Sequence, residues 1–380
     1  MNYQKRPPDG YVIDINQVNK HCEPINYTTA VLYKYPVQDC LDYLDTKQSE
    51  YLVKPASPKY CNEKDPMIFH VYWRGNMVEK IALMIKSFLY TQPLNCSRLY
   101  VWVDENSEDL RLNNEILPLI RFSGKNLVFK KWITSEQLNS DPIFNGWKSK
   151  LRSNQNVVGF SDIVRFVLLY RYGGMYLDAD VLCLRDMRPL YYLNFDFAYR
   201  WSIWTHYNTA ILRLQPNSTI CRTIIQEAIL NNMDFHPMSL KNYLIKDKSK
   251  TITNHDLNKH LYMMPVILFD PLWLKADLTI VNQILNPNLN TFFDVFKPYI
   301  LDYEFPESLI TKMNNDPLKL RNKHHFFRGA FTYHWHNNWD RSINPKSWLG
   351  VLENAYDAFI QGRDSNMYNE YLSFVKRKLL

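Results

Sequence analysis

Two aspartates one residue apart, Asp178 and Asp180, close an apolar stretch that runs from Met175 to Val181. On an extended chain alternate side chains share a face, so Tyr176, Asp178 and Asp180 fall on one side and Leu177, Ala179 and Val181 on the other. At about 3.3 Å of rise per residue the two carboxylates stand about 6.5–7 Å apart, too far to grip one bare ion easily unless the strand ends there. The spacing favours a division of labour, with one carboxylate on a metal and the other on a ligand hydroxyl or a metal-bound water. Oxygen donors of this kind suit Mg²⁺ or Mn²⁺, whose sites are commonly completed by substrate phosphates. A cation so held neutralises charge on a departing diphosphate. A bare Asp-x-Asp is a short pattern, and ordinary strand-end carboxylates are its plainest explanation. Its surroundings count against that, because Asp is disfavoured in strands and this pair flanks an apolar one.

A second charged pair stands just upstream. Ser161 to Tyr172 is apolar almost all round, through Ile163, Val164, Phe166, Val167, Leu168 and Leu169, which is the pattern of a buried helix. Asp162 and Arg165 lie one turn apart on it, where charge is costly unless paired or functional. Either they form an internal i,i+3 ion pair, or both face a crevice and bind sugar hydroxyls. Gly173-Gly174 ends the helix.

The elements that must carry these residues alternate in type. Met67 to Tyr72 reads as a buried strand closed by Trp73-Arg74-Gly75, Ile81 to Tyr90 as a helix, and Arg98 to Val103 as a strand ending at Asp104. Leu110 to Ile120 reads as a helix, and Asn126 to Trp132 and Met175 to Val181 as strands. Asn208 to Leu214 and Met263 to Phe269 read as further strands, and the pattern from Trp348 to Leu380 is helical. This alternation predicts an α/β domain with a mostly parallel sheet covered on both faces. Ligands of such sheets lie beyond the carboxyl ends of the strands, where Asp178 and Asp180 fall. Residues 1–65 read as an N-terminal extension, 66–345 as the main α/β unit (66–205 and 206–345 its halves), and 346–380 as a helical C-terminal segment.

The residues carry a resemblance. Ser161-Asp162-x-x-Arg165, followed by Tyr172-Gly173-Gly174-x-Tyr176-Leu177-Asp178-x-Asp180, resembles the DXD-containing sugar-transferase family. That family includes yeast-type mannosyltransferases, α-1,4-galactosyltransferases, capsule-building transferases and, more distantly, the glucosylating clostridial toxins. The resemblance implies a GT-A fold, a nucleotide-sugar donor (UDP-sugar favoured), Mn²⁺ or Mg²⁺, and transfer with retention to a glycan, lipid or protein acceptor. It implies that Asp162 and Arg165 contact the donor sugar, with Ser161 and Tyr176 close by. Asp178 would bridge ribose and sugar hydroxyls, Asp180 would hold the metal, and Asn208 would lie near the transferred sugar. His70-Val71-Tyr72-Trp73-Arg74-Gly75 is similar to the family's first strand, so Tyr72 and Trp73 are expected to border the nucleobase, although core packing explains Trp73 equally well; Asp104 has a counterpart too. Near the C-terminus, His334, Asn337 and Trp339 match the spacing of a segment that ligates metal and reaches the diphosphate. His and Asn here replace an acid and Ser, and the choice between His334 and His336 as ligand stays open.

Composition sets the outer limits. The 380 residues are 46% hydrophobic and 22% charged, and the 26 Tyr and 10 Trp lift the aromatic share to 15%. The net charge of +7 is dispersed, with short clusters at Lys148-x-Lys150-x-Arg152 and Lys376-Arg377-Lys378; neither resembles a nucleic-acid-binding arm. The second cluster suits peripheral contact with an acidic membrane. Six cysteines without Cys-x-x-Cys spacing predict reduced thiols and a cytoplasmic setting, and no signal or membrane-spanning run is expected. Two other functions fit paired aspartates: a metal-dependent phosphohydrolase or nucleotidyltransferase, and an inactive nucleotide-sugar-binding protein on a decayed transferase fold.

Overall fold

A computed structural model describes residues 6, 10–22, 54–55, 61–76, 78–151, 156–202, 204–245, 260–270, 273, 295–296 and 330–371. Among them, β1 (Tyr11–Val12) pairs antiparallel with β2 (Lys54–Pro55). The main sheet is built from β3 (Met67–Trp73), β4 (Ser97–Asp104), β5 (Leu127–Trp132), β6 (Gly174–Leu177), β8 (Phe197–Arg200), β9 (Tyr207–Leu214) and β10 (Tyr262–Met264). Their spatial order is β10–β8–β9–β6–β3–β4–β5. Only β9 runs against the rest, so the sheet is mixed and mostly parallel, as expected of the GT-A class. A separate antiparallel pair joins β7 (Val181–Cys183) to β11 (Thr332–His334).

Side-chain alternation divides the core. Met67, Phe69, Val71 and Trp73 point into one hydrophobic cluster, while Tyr72 joins Trp102, Trp132 and Tyr176 in the other. Both faces are therefore buried, which is why β3 reads as an unbroken apolar run. Of the helices, α1 (Ile15–Cys22) precedes the sheet, and α2 (Val78–Thr91) covers the first face. The second face carries α3 (Val157–Tyr172), α4 (Thr219–Leu230) and α5 (Pro237–Leu244). The C-terminal α6 (Trp348–Ile360) rests on α2, tied by Lys86 to Glu353 at 3.2 Å and Asp357 at 3.0 Å. The chain thus has helical additions at both ends.

The topology fixes where a ligand goes. From β3 the chain winds outward through β4 and β5, then returns through α3 to place β6 on the other side of β3. The carboxyl ends of β3 and β6 are the topological switch point, where open sheets of this kind bind their ligands.

Four local expectations need correction. The predicted strand Met175–Val181 is two strands: β6 stops at Leu177, and a turn with Val181 N–H donating to Asp178 O (3.0 Å) leads into β7, which pairs elsewhere. Met263–Phe269 is β10 followed by a 3₁₀ turn over Val266–Leu268. Leu110–Ile120 is likewise two pieces, a 3₁₀ turn at Leu110–Leu112 and a helix at Leu117–Ser123, because Pro118 has no amide hydrogen for a continuous helix and suits a new first turn. The C-terminal helix ends at Ile360, with Gly362 in the left-handed region two residues on; the basic run 376–378 lies outside the described residues. No helix among the described residues is long and apolar enough to cross a membrane.

The expectation of reduced thiols holds at Cys183 and Cys221, which are free and buried, and fails at one pair. Cys61 and Cys96 form a disulfide with Cα atoms 5.3 Å apart. They lie just ahead of β3 and β4, and parallel neighbours begin at the same sheet edge, so the residues leading into them meet although 35 positions separate them. Linear spacing does not reveal that proximity. Bonds of this kind persist in oxidising surroundings, so the ground for expecting a reducing compartment is removed.

Candidate active site

The two aspartates are brought together by the end of a strand. Asp178 N–H donates to Ala210 O (2.8 Å), the last rung between β6 and β9, and the chain then turns through Ala179 and Asp180. Strict alternation no longer applies, and the carboxylates converge instead of standing 6.5–7 Å apart as an extended chain would hold them. Ligand atoms of Asp178, Asp180 and His334 all lie within 4.8 Å of one another.

His334 reaches this point through strand register. It pairs with Val181 across β11 and β7, and the next ladder contact is Trp335 N–H to Asp180 O at 3.0 Å. His334 Nε2 stands 3.2 Å from Asp180 Oδ2, and its Nδ1 hydrogen-bonds with the Tyr199 hydroxyl at 3.0 Å. His336 and Asn337 then adopt left-handed backbone (φ 49° and 56°), turning the Asn337 N–H onto Asp180 Oδ2 at 2.7 Å. Asp180 thus sits in a small donor nest closed by backbone.

Electrostatics follow this geometry. Burial alone raises the Asp180 carboxyl, but His334, its hydrogen bond and the Asn337 amide outweigh it and hold Asp180 down at about 2. Burial lowers His334, yet Asp180 and then Asp270 push it up to about 9. The two form a buried ion pair, and a divalent cation between them would take over the role of the imidazolium proton. Two carboxylates and an imidazole are donors that Mn²⁺ accepts well and Mg²⁺ less readily.

Arg165 connects this group to α3. Its Nη2 lies 3.0 Å from Asp162 Oδ1 and 2.9 Å from Asp178 Oδ1, and also donates to Ser161 Oγ at 3.1 Å. Nη1 donates to Thr209 Oγ1 at 2.7 Å, and the guanidinium lies 5.1 Å from the centre of the Tyr176 ring. Both Asp162 and Arg165 are 3% exposed. The internal ion pair exists, and it extends to the Asp-x-Asp motif rather than standing alone. Burial carries the Asp162 carboxyl up to about 7 against the opposing pull of Arg165.

The remaining candidates divide. Asn208 is buried on β9, its Oδ1 accepting from Ala210 N at 2.9 Å, next to the rung that ends β6. Trp339 lies against Trp73 with ring centroids 5.4 Å apart, and its Nε1 donates to Asn337 Oδ1 at 3.0 Å. Tyr72 donates to Asp104 Oδ2 on the opposite face of the sheet from Trp73, between Trp132 and Phe160. The structure does not bring Tyr72 and Trp73 together as one stacking platform. Asp104 also accepts from Asn106 N at 2.9 Å, a turn-forming role.

Sequence reasoning passed over two residues. Tyr199 faces His334, and nothing in its local pattern marks it. Asp270 is 1% exposed, 2.5 Å from His336 Nε2, and forms a second potential cation group with His334 and His336. Its signal was legible: like Asp178, it is an acid ending an apolar run. His336 stacks between His334 and Trp273, both centroid distances being 3.9 Å, and it faces Asp270, whereas His334 faces the Asp-x-Asp pair.

Residues 79–197 match the family described as "glycosyltransferase sugar-binding region containing DXD motif". The chain is a glycosyltransferase carrying that DXD region. Residues 141–261 also match the capsular polysaccharide synthesis protein family, and both matched stretches contain α3 and the two aspartates. No curated protein matches the transferase. Among solved structures, it resembles the PaToxG glycosyltransferase at 15% identity, over 80% of this chain and 91% of that one, with a TM-score of 0.34. A galactosyltransferase LgtC complex with donor and acceptor sugar analogues is 14% identical over 76% and 95%, with a TM-score of 0.35. Apo GlyE of Streptococcus pneumoniae TIGR4 is 13% identical over 77% and 63%, with a TM-score of 0.36.

Proposed function

We propose that the transferase moves a sugar from a nucleotide-sugar, UDP-sugar favoured, to a saccharide-bearing acceptor with retention at the anomeric carbon, assisted by Mn²⁺ or Mg²⁺. The observation that carries this reading is the convergence of Asp178, Asp180 and His334 at the end of β6, with Arg165 joining Asp178 to Asp162. A divalent cation held there would neutralise charge on the leaving nucleoside diphosphate. The protein's own groups have separate tasks. Arg165 fixes the direction of Asp178, the Asn337 amide and His334 fix Asp180, and Asp162 and Asp178 offer acceptors to sugar hydroxyls. Asn208, next to the end of β6, would face the sugar, and Trp339, hydrogen-bonded to Asn337, would reach the diphosphate. The family matches support sugar transfer and a polysaccharide product. We assign the catalytic unit to residues 66–345.

Asp180→Asn tests the reading, since it keeps shape and removes the charge. Titration calorimetry with Mn²⁺ and UDP should show the affinity for the ion reduced by about 100-fold or more, a larger effect than the 10–100-fold typical of outer-shell changes. Donor hydrolysis should fall with it. Unchanged Mn²⁺ binding would refute the assignment, and tight phosphate-ester binding without preference for a nucleotide-sugar would favour a phosphohydrolase.

A further inference from the structure

The order of strands predicts where the second substrate sits. Tyr72, Trp73 and Asp104 end β3 and β4, Asp178 ends β6, and Asn208 opens β9. On the donor reading above, the diphosphate and the sugar would occupy the ends of β6 and β9 in that order. The next strand end along the sheet is that of β8. The space beyond this strand end lies next to the sugar and is not claimed by the donor, so an acceptor can reach the sugar from it.

Residues 201–202 and 204–206, between β8 and β9, lie at this strand end. Trp201 N–H donates to His206 O at 2.7 Å, closing the loop, and Trp204 N–H donates to Trp201 O at 3.0 Å. Ser202 takes a left-handed conformation (φ 53°). The tight loop lifts Trp204 out of the protein: it is 58% exposed, the only exposed tryptophan among the described residues. Tryptophan is highly buried on average, and one exposed on a hydrogen-bonded loop beside a ligand crevice is a ready contact surface. The loop is braced from below, where the Trp201 and His236 rings meet at 6.1 Å next to the first turn of α5. Two polar atoms of the same loop, Ser202 Oγ and His206 Nδ1, have no hydrogen-bond partner among the described residues.

We propose that Trp204 is the platform of an acceptor subsite and that its occupant is a saccharide, the apolar C–H face of a pyranose ring lying flat on the indole. An exposed indole supplies a large, rigid apolar face with a polar edge, which suits the apolar face of such a ring. The inference rests on the donor reading only for its direction along the sheet.

The test separates binding from turnover. Wild-type protein, Trp204→Ala and Trp204→Phe are titrated with methyl glycosides and disaccharides of glucose, galactose, mannose and N-acetylglucosamine, followed by tryptophan fluorescence and calorimetry without donor. Wild type should bind at least one saccharide, Trp204→Ala at least tenfold more weakly, and Trp204→Phe within about threefold of wild type. In transfer assays the acceptor KM should rise in Trp204→Ala by the same factor, more than any change in donor hydrolysis. Equal saccharide binding by wild type and Trp204→Ala, or no binding by any of the three, overturns the proposal. So does a Trp204-dependent association with phosphatidylcholine–phosphatidylserine vesicles that leaves saccharide binding unaffected, which would make the loop a membrane contact. Mn²⁺–UDP binding, measured separately, reports on the donor reading alone.

Discussion

At the scale of single residues, Arg165 has the most consequences. Its guanidinium holds Asp162, Asp178, Ser161 and Thr209 at once, a task that needs several donors in a fixed plane. Removing one partner from a buried ionic group leaves the others uncompensated, at a cost of about 3–5 kcal/mol. Arg165→Met should therefore lower unfolding free energy in urea by about 3 kcal/mol or more, and adding Asp162→Asn should restore part of it. If instead the single variant is as stable as wild type, the three charges are not coupled. Arg165→Lys keeps the charge but not the fork, so it should fold better than Arg165→Met while still losing most activity. The type and spacing of Asp162, Arg165, Asp178 and Asp180 were legible in the sequence, because charge in an apolar setting is rare. That the arginine clamps a motif aspartate was not, since that contact depends on the turn after Leu177.

At the scale of elements, the junction of α3 and β6 decides whether the site exists. Gly173 and Gly174 have φ of 62° and 96°. A Cβ on Gly173 would come within 2.4 Å of Pro216 Cδ, and one on Gly174 would come equally close to the carbonyl oxygen of Ile68 on β3. Gly174 is needed both for its backbone conformation and because β6 must lie against β3. At a compatible site Gly→Ala stabilises by about 0.4–1 kcal/mol, whereas Gly174→Ala is expected to destabilise by about 2 kcal/mol or more by thermal unfolding. An unchanged melting temperature would contradict the close approach. Strong local patterns gave the strands β3, β4 and β5 to within a residue at each end, and the helices α2 and α3 without their first three and four residues. The pattern failed at Met175–Val181 and Met263–Phe269, where apolar side chains continue but backbone pairing changes partner. Hydrophobicity reports burial, and burial does not say which neighbour supplies the hydrogen bonds.

At the scale of the whole molecule, distant segments are joined by a covalent link and by a ladder. The Cys61–Cys96 disulfide closes 35 residues containing β3, α2 and the approach to β4. Restricting a loop of that size in the unfolded chain contributes about 2–4 kcal/mol. Denaturation with and without a reductant should differ by that amount, and Cys61→Ser should abolish the difference; equal stabilities would mean that the bond does not form in the folded protein. The ladder between β7 and β11 is the more important link for chemistry. It brings the Asn337 amide to Asp180 across 157 residues of sequence. The same segment carries Trp339 to Trp73, so one excursion of the chain supplies the imidazole, the amide and the indole.

The sequence alone determined that a charged helix turn, a double glycine and two aspartates follow one another in an otherwise apolar setting, because those are local facts of residue type and period. It also determined the alternation of elements and hence the class of sheet. Tertiary structure decided the rest. It ended β6 early enough for Asp178 and Asp180 to converge, turned His334 toward them and His336 toward Asp270, and seated Asp270 beside both imidazoles. Each of these depends on register between strands far apart in the chain, which side-chain pattern alone does not encode.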